Sequence, residues 1–200
     1  MTLAASTICA RKLSPAEQLA WIAQVREVCE ISPLVRPLAR GGQPMSVRIT
    51  SAGRLGWVGA ASGYRYAETD SFGNPWPAMP WEWVAFADEV AGEQPWDSAI
   101  VNWYDEGASL GFHADKSELD LDRPIVTISL GDPAMWAVRG SMESPISRVC
   151  LESGDVTLLA GPNRGALHSI ERIIADPMGS PLGPKRGRIS VTLRVAGDPS

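Results

Sequence analysis

Two histidines occur in the chain, His113 and His168, and the first stands two residues before Asp115. On a strand or in an extended loop, residues i and i+2 point to the same side, so His113 and Asp115 can reach one metal ion. His168 lies far along the chain, within a predicted strand. Two imidazoles and one carboxylate form the facial triad of non-haem Fe(II) oxygenases, which leaves coordination positions open for a chelating cosubstrate and O₂. An isolated His-x-Asp pair is more often structural, so this assignment depends on the other motifs.

The segment Arg188–Arg194 supplies a second chemical signal. In a strand, Arg188, Ser190, Thr192 and Arg194 all project to one face. A buried basic face requires an anionic partner, because unpaired buried arginines are costly, and the guanidinium fork suits carboxylates. A dicarboxylate cosubstrate would satisfy this face. The alternative is an edge strand whose polar face lies in water.

Charge is distributed unevenly along this chain of 200 residues, whose formal net charge is −5. The stretch 31–67 contains no acid but five arginines, whereas the stretch 68–122 contains Lys116 as its single base. An arginine-bearing segment on an acidic protein is typical of a local phosphate-facing surface. Solubilising charge that happens to cluster is the simpler explanation of this feature alone.

The length suits one domain with a substantial core, covering residues 1–200. No apolar run approaches the roughly 20 residues that span a bilayer, and the first ten residues do not resemble a signal peptide, so no membrane association is expected. Three widely spaced cysteines without a C-x-x-C motif argue against a disulfide framework or a thiolate zinc site. These features predict a cytoplasmic protein.

Helical signals predict two helices in the first half of the chain. Ser14–Glu17 supplies an N-cap, a proline at the first helical position and a capping-box glutamate for a helix over Pro15–Cys29. Apolar residues at helical spacing predict a second helix over Pro80–Ala91, which Gly92 ends.

Short strand-like segments separated by turn signals occupy the second half. The predicted strands are Ala99–Trp103, Ile125–Gly131, Met135–Arg139, Arg148–Leu151, Val156–Ala160, Ala166–Ile170 and Ile189–Val195. The Pro/Gly-rich stretch 176–187 is predicted to be a loop. The pattern predicts a mainly β protein with flanking helices (α+β), a sandwich or barrel of the jelly-roll kind.

Short motifs recur along most of the chain in a characteristic order and spacing. They are Leu55-Gly56-Trp57, Gly63-Tyr64-Arg65-Tyr66, Asn74–Pro80, Asn102-Trp103-Tyr104, Gly107-Ala108, His113–Lys116, Pro124–Gly131, Gly154-Asp155-Val156 and Arg188–Arg194. In order and spacing, these motifs resemble those of the AlkB family of Fe(II)- and 2-oxoglutarate-dependent nucleic-acid dioxygenases.

The resemblance implies a fold and a set of site residues. The fold would be a double-stranded β-helix, in which residues 1–97 form N-terminal helices and a substrate lid and residues 98–200 the catalytic core. Iron would be held by the catalytic ligands His113, Asp115 and His168. The residues implied for 2-oxoglutarate are Asn102, Tyr104, Arg188, Ser190 and Arg194, with Arg188 and Tyr104 at its distal carboxylate. Substrate contacts are implied for Trp57, Tyr64, Lys116, Arg148 and Met45.

The implied reaction is oxidative demethylation of bases such as 1-methyladenine and 3-methylcytosine, in the repair of alkylated DNA. It consumes O₂ and 2-oxoglutarate and releases formaldehyde, succinate and CO₂. Alkylated single-stranded DNA is the expected partner of a monomeric enzyme, with duplex DNA or RNA as alternatives. Ser117 stands where similar enzymes carry an acid that reads the methylated base, and the next residue, Glu118, is a possible substitute. Ser190 replaces an asparagine often seen between the two arginines.

Two other functions stay open at this point. The same dioxygenase chemistry could act on transfer RNA, a protein or a small molecule, because the motifs specify metal and cosubstrate better than substrate. A jelly-roll module that binds a metal without catalysis is a second alternative. Structural zinc sites usually have four protein ligands, and the sequence offers no fourth ligand of the right kind.

Overall fold

The computed structural model describes residues 3–175 and 186–197. Its helices are α1 (Leu3–Thr7), α2 (Pro15–Ile31) and α3 (Trp81–Ala91). Its strands are β1 (Arg48–Gly53), β2 (Gly56–Ala60), β3 (Gly63–Ala67), β4 (Ser98–Tyr104), β5 (Leu110–His113), β6 (Ile125–Gly131), β7 (Ala134–Arg139), β8 (Ser147–Leu151), β9 (Val156–Leu159), β10 (Leu167–Ile173) and β11 (Arg188–Arg194). No helix in these ranges is long and apolar enough to cross a membrane.

The two predicted helices and the seven predicted strands are present, with ends shifted by a few residues. Four strands, β1, β2, β3 and β5, and the short helix α1 were not predicted. Glycine, alanine and arginine interrupt the apolar pattern of β1 to β3, so pairing with neighbouring strands, more than composition, makes these segments extended. Most of the predicted loop, residues 176–185, lies outside the described residues.

The strands form a jelly roll, as predicted. Five strands make the larger sheet in the order β1-β4-β11-β6-β9, and four make the smaller sheet in the order β5-β10-β7-β8. The β2–β3 hairpin forms a separate two-stranded sheet. The N-terminal part of the chain contributes β1 to the larger sheet, where it pairs with β4. The predicted lid region and catalytic core therefore share this sheet.

Successive side chains of β11 point to opposite faces of the larger sheet, and the protein has two apolar clusters. Ile189, Val191 and Leu193 join a core that also contains Trp21 of α2 and Trp83 of α3, whose rings stack with centroids 5.2 Å apart. Burying each such side chain contributes about 1.5–3 kcal/mol. A second apolar cluster contains residues of both sheets and therefore lies between them. The helices thus cover one face of the larger sheet, and the opposite face is left for the site.

The helix α2 begins with the predicted capping box. The backbone N–H of Glu17 donates to Ser14 Oγ (3.3 Å), and the N–H of Ser14 donates to Glu17 Oε2 (2.7 Å). Hydrogen bonds from Arg11, and then from Ser14, lower the pKa of Glu17 to about 2. The ionised carboxylate therefore stabilises the folded protein, and this contribution is lost as the pH falls through that value.

Replacing Glu17 with alanine should lower the free energy of unfolding by about 1 kcal/mol at pH 7, because a cap is lost. The difference from the wild type should shrink between the ordinary glutamate pKa and a pH of about 2, where the wild-type carboxylate protonates. Urea unfolding at a series of pH values measures it. The control is Glu27→Ala, an exposed position of the same helix; an equal loss in this control would contradict the cap assignment.

Candidate active site

A cavity of about 440 Å³ lies between the two sheets. Residues of β4, β5, β10 and β11 line it, and the β2–β3 hairpin contributes Trp57 and Tyr64. The volume falls in the range of small-molecule sites, which bury most of a ligand's surface.

Strand pairing brings the predicted metal ligands together in this cavity. His113, the last residue of β5, lies directly opposite His168 of β10, and the centroids of the two rings are 4.4 Å apart. Asp115 follows β5, and its carboxylate oxygens lie 3.9 Å from His113 Nε2 and 3.7 Å from His168 Nε2. One ligand atom from each of the three residues lies within 4.8 Å of the others. This donor set suits a ferrous ion with open coordination positions.

Backbone carbonyls fix the orientation of both imidazoles. Nδ1 of His113 lies 2.8 Å from the carbonyl oxygen of Gly111, and Nδ1 of His168 lies 3.1 Å from that of Ala166. A carbonyl oxygen only accepts, so each Nδ1–H donates and each Nε2 keeps its lone pair for a metal.

Burial and neighbouring charges set the protonation of the ligands. Burial acts to raise the pKa of Asp115, but Arg194 and the two histidines outweigh it, and the pKa lies well below its usual range. Burial lowers the pKa of His168, so its imidazole is neutral. A charged carboxylate and a neutral imidazole are the forms that bind metals.

The basic strand β11 lies in the middle of the larger sheet, between β4 and β6. The alternative of an edge strand with its polar face in water is therefore wrong. Arg188, Ser190, Thr192 and Arg194 are buried and line the cavity. Arg188 is 1% exposed.

Unsatisfied polar atoms on this face fit the predicted cosubstrate. Arg188 donates from Nη2 to Ser129 Oγ (2.6 Å), but its Nε and Nη1 have no partner among the described residues. Asn102 donates weakly to Ser190 Oγ (3.4 Å), and its Oδ1 has no partner in the described ranges. Burial lowers the pKa of Arg188, and the nearby Tyr104 and Asp155 offset this effect only in part. A bound carboxylate would remove this cost, so these residues fit 2-oxoglutarate.

The predicted substrate residues divide into two groups. Met45, Trp57 and Tyr64 line the cavity, and the rings of Trp57 and Tyr64 pack with centroids 4.9 Å apart. Lys116 is exposed and does not line it. Arg148 lies on β8 and pairs with Glu171 (3.0 Å) outside the cavity. Substrate contacts for these two residues stay a prediction.

Glu118, considered as a substitute for the acid that reads the base in similar enzymes, does not line the cavity. Ser117 lines the cavity, but the carboxylate of Glu118 is buried against Arg194 and Arg164. Glu118 is thus not placed to read a base, and that expectation is wrong.

Other residues of the site were not singled out from the sequence. Thr127 lines the cavity and Ser129 contacts Arg188; both stand at alternate positions of the otherwise apolar strand β6, a pattern that could have identified them. Arg164 and Tyr66, which contact Glu118, carry no comparable signal.

A jelly roll that holds two histidines, a carboxylate and a buried basic strand defines an Fe(II) and 2-oxoglutarate site. The family model of the 2OG-Fe(II) oxygenase superfamily matches residues 6–194. An alpha-ketoglutarate-dependent dioxygenase AlkB homolog of Caulobacter vibrioides is 40% identical over 185 residues, covering 90% of this chain and 82% of that protein. AlkB of Escherichia coli K12 is 38% identical over 183 residues, covering 86% and 83%. The chain belongs to the AlkB family of 2-oxoglutarate-dependent dioxygenases.

The fold comparison and two further relatives agree with this assignment. The solved structure of OsALKBH1 superposes with a TM-score of 0.77 at 23% identity, over 94% of this chain and 95% of that one. A protein of Arabidopsis thaliana named DNA N(6)-methyladenine demethylase ALKBH1A is 38% identical over 95 residues, 47% of this chain and 28% of that protein. The tRNA demethylase abh1 of Schizosaccharomyces pombe is 31% identical over 144 residues, 67% and 47% respectively.

Proposed function

We propose that this dioxygenase removes methyl groups oxidatively from alkylated nucleic-acid bases, in the repair of DNA carrying 1-methyladenine or 3-methylcytosine. The observation that carries the proposal is the cavity itself. It holds the metal triad and, on the hairpin, the packed pair of Trp57 and Tyr64. Tyr64 is 41% exposed. An aromatic surface that reaches from solvent into the metal site suits a flat base.

Aromatic stacking recognises a base without requiring one sequence. Stacking of a base on an aromatic side chain contributes about 1–3 kcal/mol. A base that is stacked inside a duplex cannot reach the metal site and must first be flipped out, which costs a few kcal/mol. We therefore propose single-stranded DNA as the preferred substrate. We also propose that the enzyme is a monomer and that it acts in the cytoplasm.

The arginines of the acid-free stretch supply charge for a phosphate backbone. Arg36 and Arg48 both pair with Asp105, and Arg54 pairs with Asp97. Arg40 has no ion pair among the described residues, and its backbone N–H donates to the hydroxyl of Tyr64 (3.3 Å). We propose that the guanidinium of Arg40, whose backbone lies beside Tyr64, contacts a phosphate of the bound strand.

The chain's own residues bind, orient and position the reactants. When bound, Fe(II) and 2-oxoglutarate supply the oxidation of the methyl group by O₂, which yields formaldehyde, succinate and CO₂. His113, Asp115 and His168 would hold the metal, and Arg188 with Tyr104 would hold a carboxylate of the cosubstrate. Trp57 and Tyr64 hold the base. No side chain is required to transfer a proton to the base, in agreement with a cavity whose charged side chains are metal ligands or arginines.

Arg40→Ala should weaken the binding of single-stranded oligonucleotides. The slope of log affinity against log salt concentration should become less steep by the amount that corresponds to the loss of about one phosphate contact. Fluorescence anisotropy over a salt series measures both quantities. Arg26→Ala, an exposed arginine on α2 on the far side of the larger sheet, is the matched control and should leave both unchanged. Equal effects of the two variants would indicate that net charge, not a local contact, determines binding.

The experiment that tests the proposal is a mass-spectrometric demethylation assay with Fe(II), ascorbate and 2-oxoglutarate. The substrates carry 1-methyladenine or 3-methylcytosine in single-stranded DNA, duplex DNA and RNA. We expect loss of methyl groups that requires both iron and 2-oxoglutarate, fastest on single-stranded DNA. Faster reaction on RNA would favour the tRNA activity named for the S. pombe relative. No reaction on any oligonucleotide, with succinate still formed, would overturn the substrate assignment.

A further inference from the structure

A buried polar cluster lies beside the metal site, and of its four residues only Arg194 lines the cavity. We call Tyr66, Glu118, Arg164 and Arg194 the Glu118 cluster. The side chain of Glu118 is 0% exposed, and its Oε1 accepts from Arg194 Nη1 (2.6 Å) and from the hydroxyl of Tyr66 (2.9 Å). Its Oε2 accepts from Arg164 Nη2 (3.3 Å). This carboxylate is therefore fully used inside the protein.

Both arginines of the cluster also contact the metal ligand Asp115. Arg194 Nη1 lies 3.3 Å from Asp115 Oδ1, and Arg164 Nη1 donates to the backbone carbonyl of Asp115 (2.8 Å). Two carboxylates and two guanidiniums thus balance in a buried site, where removing one partner leaves an uncompensated charge. Glu118 and Asp115 share Arg194.

The remaining member of the cluster belongs to the hairpin that carries the aromatic pair. Tyr66 lies on β3, directly opposite Trp57 on β2. The hairpin is not part of either main sheet, so the hydrogen bond from Tyr66 is a buried polar link between the hairpin and the centre of the fold. The Tyr66 hydroxyl donates to Glu118 Oε1, the same oxygen that accepts the hydrogen bond from Arg194.

We propose that Glu118 is a positioning residue that couples the β2–β3 hairpin to the metal ligand Asp115 through Arg194. Without a metal, Asp115 competes with Glu118 for Arg194. With a divalent ion bound, Asp115 would share its charge with the ion, Arg194 would pair with Glu118 alone, and the carboxylate that accepts the Tyr66 hydroxyl would be fixed. Metal binding and order in the hairpin are thereby linked, and linkage between two sites is reciprocal. The inference does not depend on which base is demethylated.

Hydrogen exchange tests the coupling without nucleic acid or turnover. Exchange of backbone amides in Gly56–Ala67 is compared in metal-free protein and in protein saturated with Mn(II). In the wild type, Mn(II) should slow this exchange by about tenfold, which corresponds to one hydrogen bond to a charged acceptor. In Tyr66→Phe, Mn(II) should bind but no longer slow the exchange. The matched control Tyr64→Phe, on the same hairpin but without contact to Glu118, should keep the slowing of exchange by Mn(II).

A merely structural role of Tyr66 would speed exchange equally with and without metal, so retained slowing by Mn(II) in Tyr66→Phe would overturn the proposal. So would a wild-type hairpin that does not respond to Mn(II). Glu118→Gln gives a second arm, because an unpaired Arg194 should turn to Asp115 and compete with the ion. Its Mn(II) affinity, measured by calorimetry on protein shown to be folded by circular dichroism, should fall about tenfold; wild-type affinity would count against the coupling.

Discussion

His113→Ala should abolish metal binding and turnover while leaving the fold intact. The imidazole of His113 supplies one of three ligands, and removal of a group that only supports a ligand already costs about 10–100-fold in metal affinity. Loss of the ligand itself should therefore exceed about 100-fold. Calorimetric titration with Mn(II) and the demethylation assay measure the two effects. The side chain of His113 is partly exposed, so its truncation opens no large internal void.

The circular-dichroism spectrum and the thermal midpoint of His113→Ala serve as the control for folding. Metal-free wild type and metal-free variant should unfold at closely similar temperatures, whereas added Mn(II) should raise the midpoint of the wild type only, because a ligand that binds the folded state stabilises it. If the variant bound Mn(II) like the wild type, His113 would not be a metal ligand.

Arg188→Ala should weaken 2-oxoglutarate binding by about 100-fold and leave Mn(II) binding unchanged. Truncating one partner of a buried, hydrogen-bonded charge pair costs about 2–5 kcal/mol. The variant should stay folded, because the side chain of Arg188 donates a single described hydrogen bond, to Ser129, and its Nε and Nη1 are unsatisfied. The dependence of succinate formation on 2-oxoglutarate concentration measures the effect as a higher KM.

Two further variants serve as controls for Arg188→Ala, one for the geometry of the guanidinium and one for the loss of an arginine elsewhere. Arg188→Lys keeps the charge but loses the bidentate fork, so its KM for 2-oxoglutarate should lie between those of the wild type and the alanine variant. Arg148→Ala removes an arginine that is paired on the outside of the smaller sheet, and its KM for 2-oxoglutarate should not change. If Arg188→Ala bound 2-oxoglutarate with wild-type affinity, the assignment of β11 to cosubstrate binding would be wrong.

The sequence predicted the parts of the site that lie on regular elements. The period-2 pattern of β11 placed Arg188 and Arg194 on one face, and the structure adds that this face is buried because β4 and β6 flank the strand. Likewise, spacing alone placed His113 beside Asp115, but the pairing of β5 with β10 is what brings His168 to them. Such long-range pairing is a tertiary effect, and only motif resemblance anticipated it.

The role predicted for Glu118 was wrong, because its surroundings are determined by residues far away in the sequence. Its position next to Ser117 suggested a base contact, but it is followed by exposed Leu119 and turns inward to two arginines that come from distant segments. A buried carboxylate is determined by its counter-charges. Neither Arg164, 46 residues downstream, nor Tyr66 on the unpredicted hairpin could have been identified as its partner from the sequence.

The central claim is that one chain couples decarboxylation of 2-oxoglutarate to demethylation of a base. The most direct test is the stoichiometry of products with a single-stranded oligonucleotide that carries 1-methyladenine, with succinate, formaldehyde and repaired base quantified by mass spectrometry. We expect equal amounts of the three products from the wild type and none from His113→Ala. Succinate formed without repaired base would show a dioxygenase that acts on another substrate, and repaired base formed without 2-oxoglutarate would contradict the account altogether.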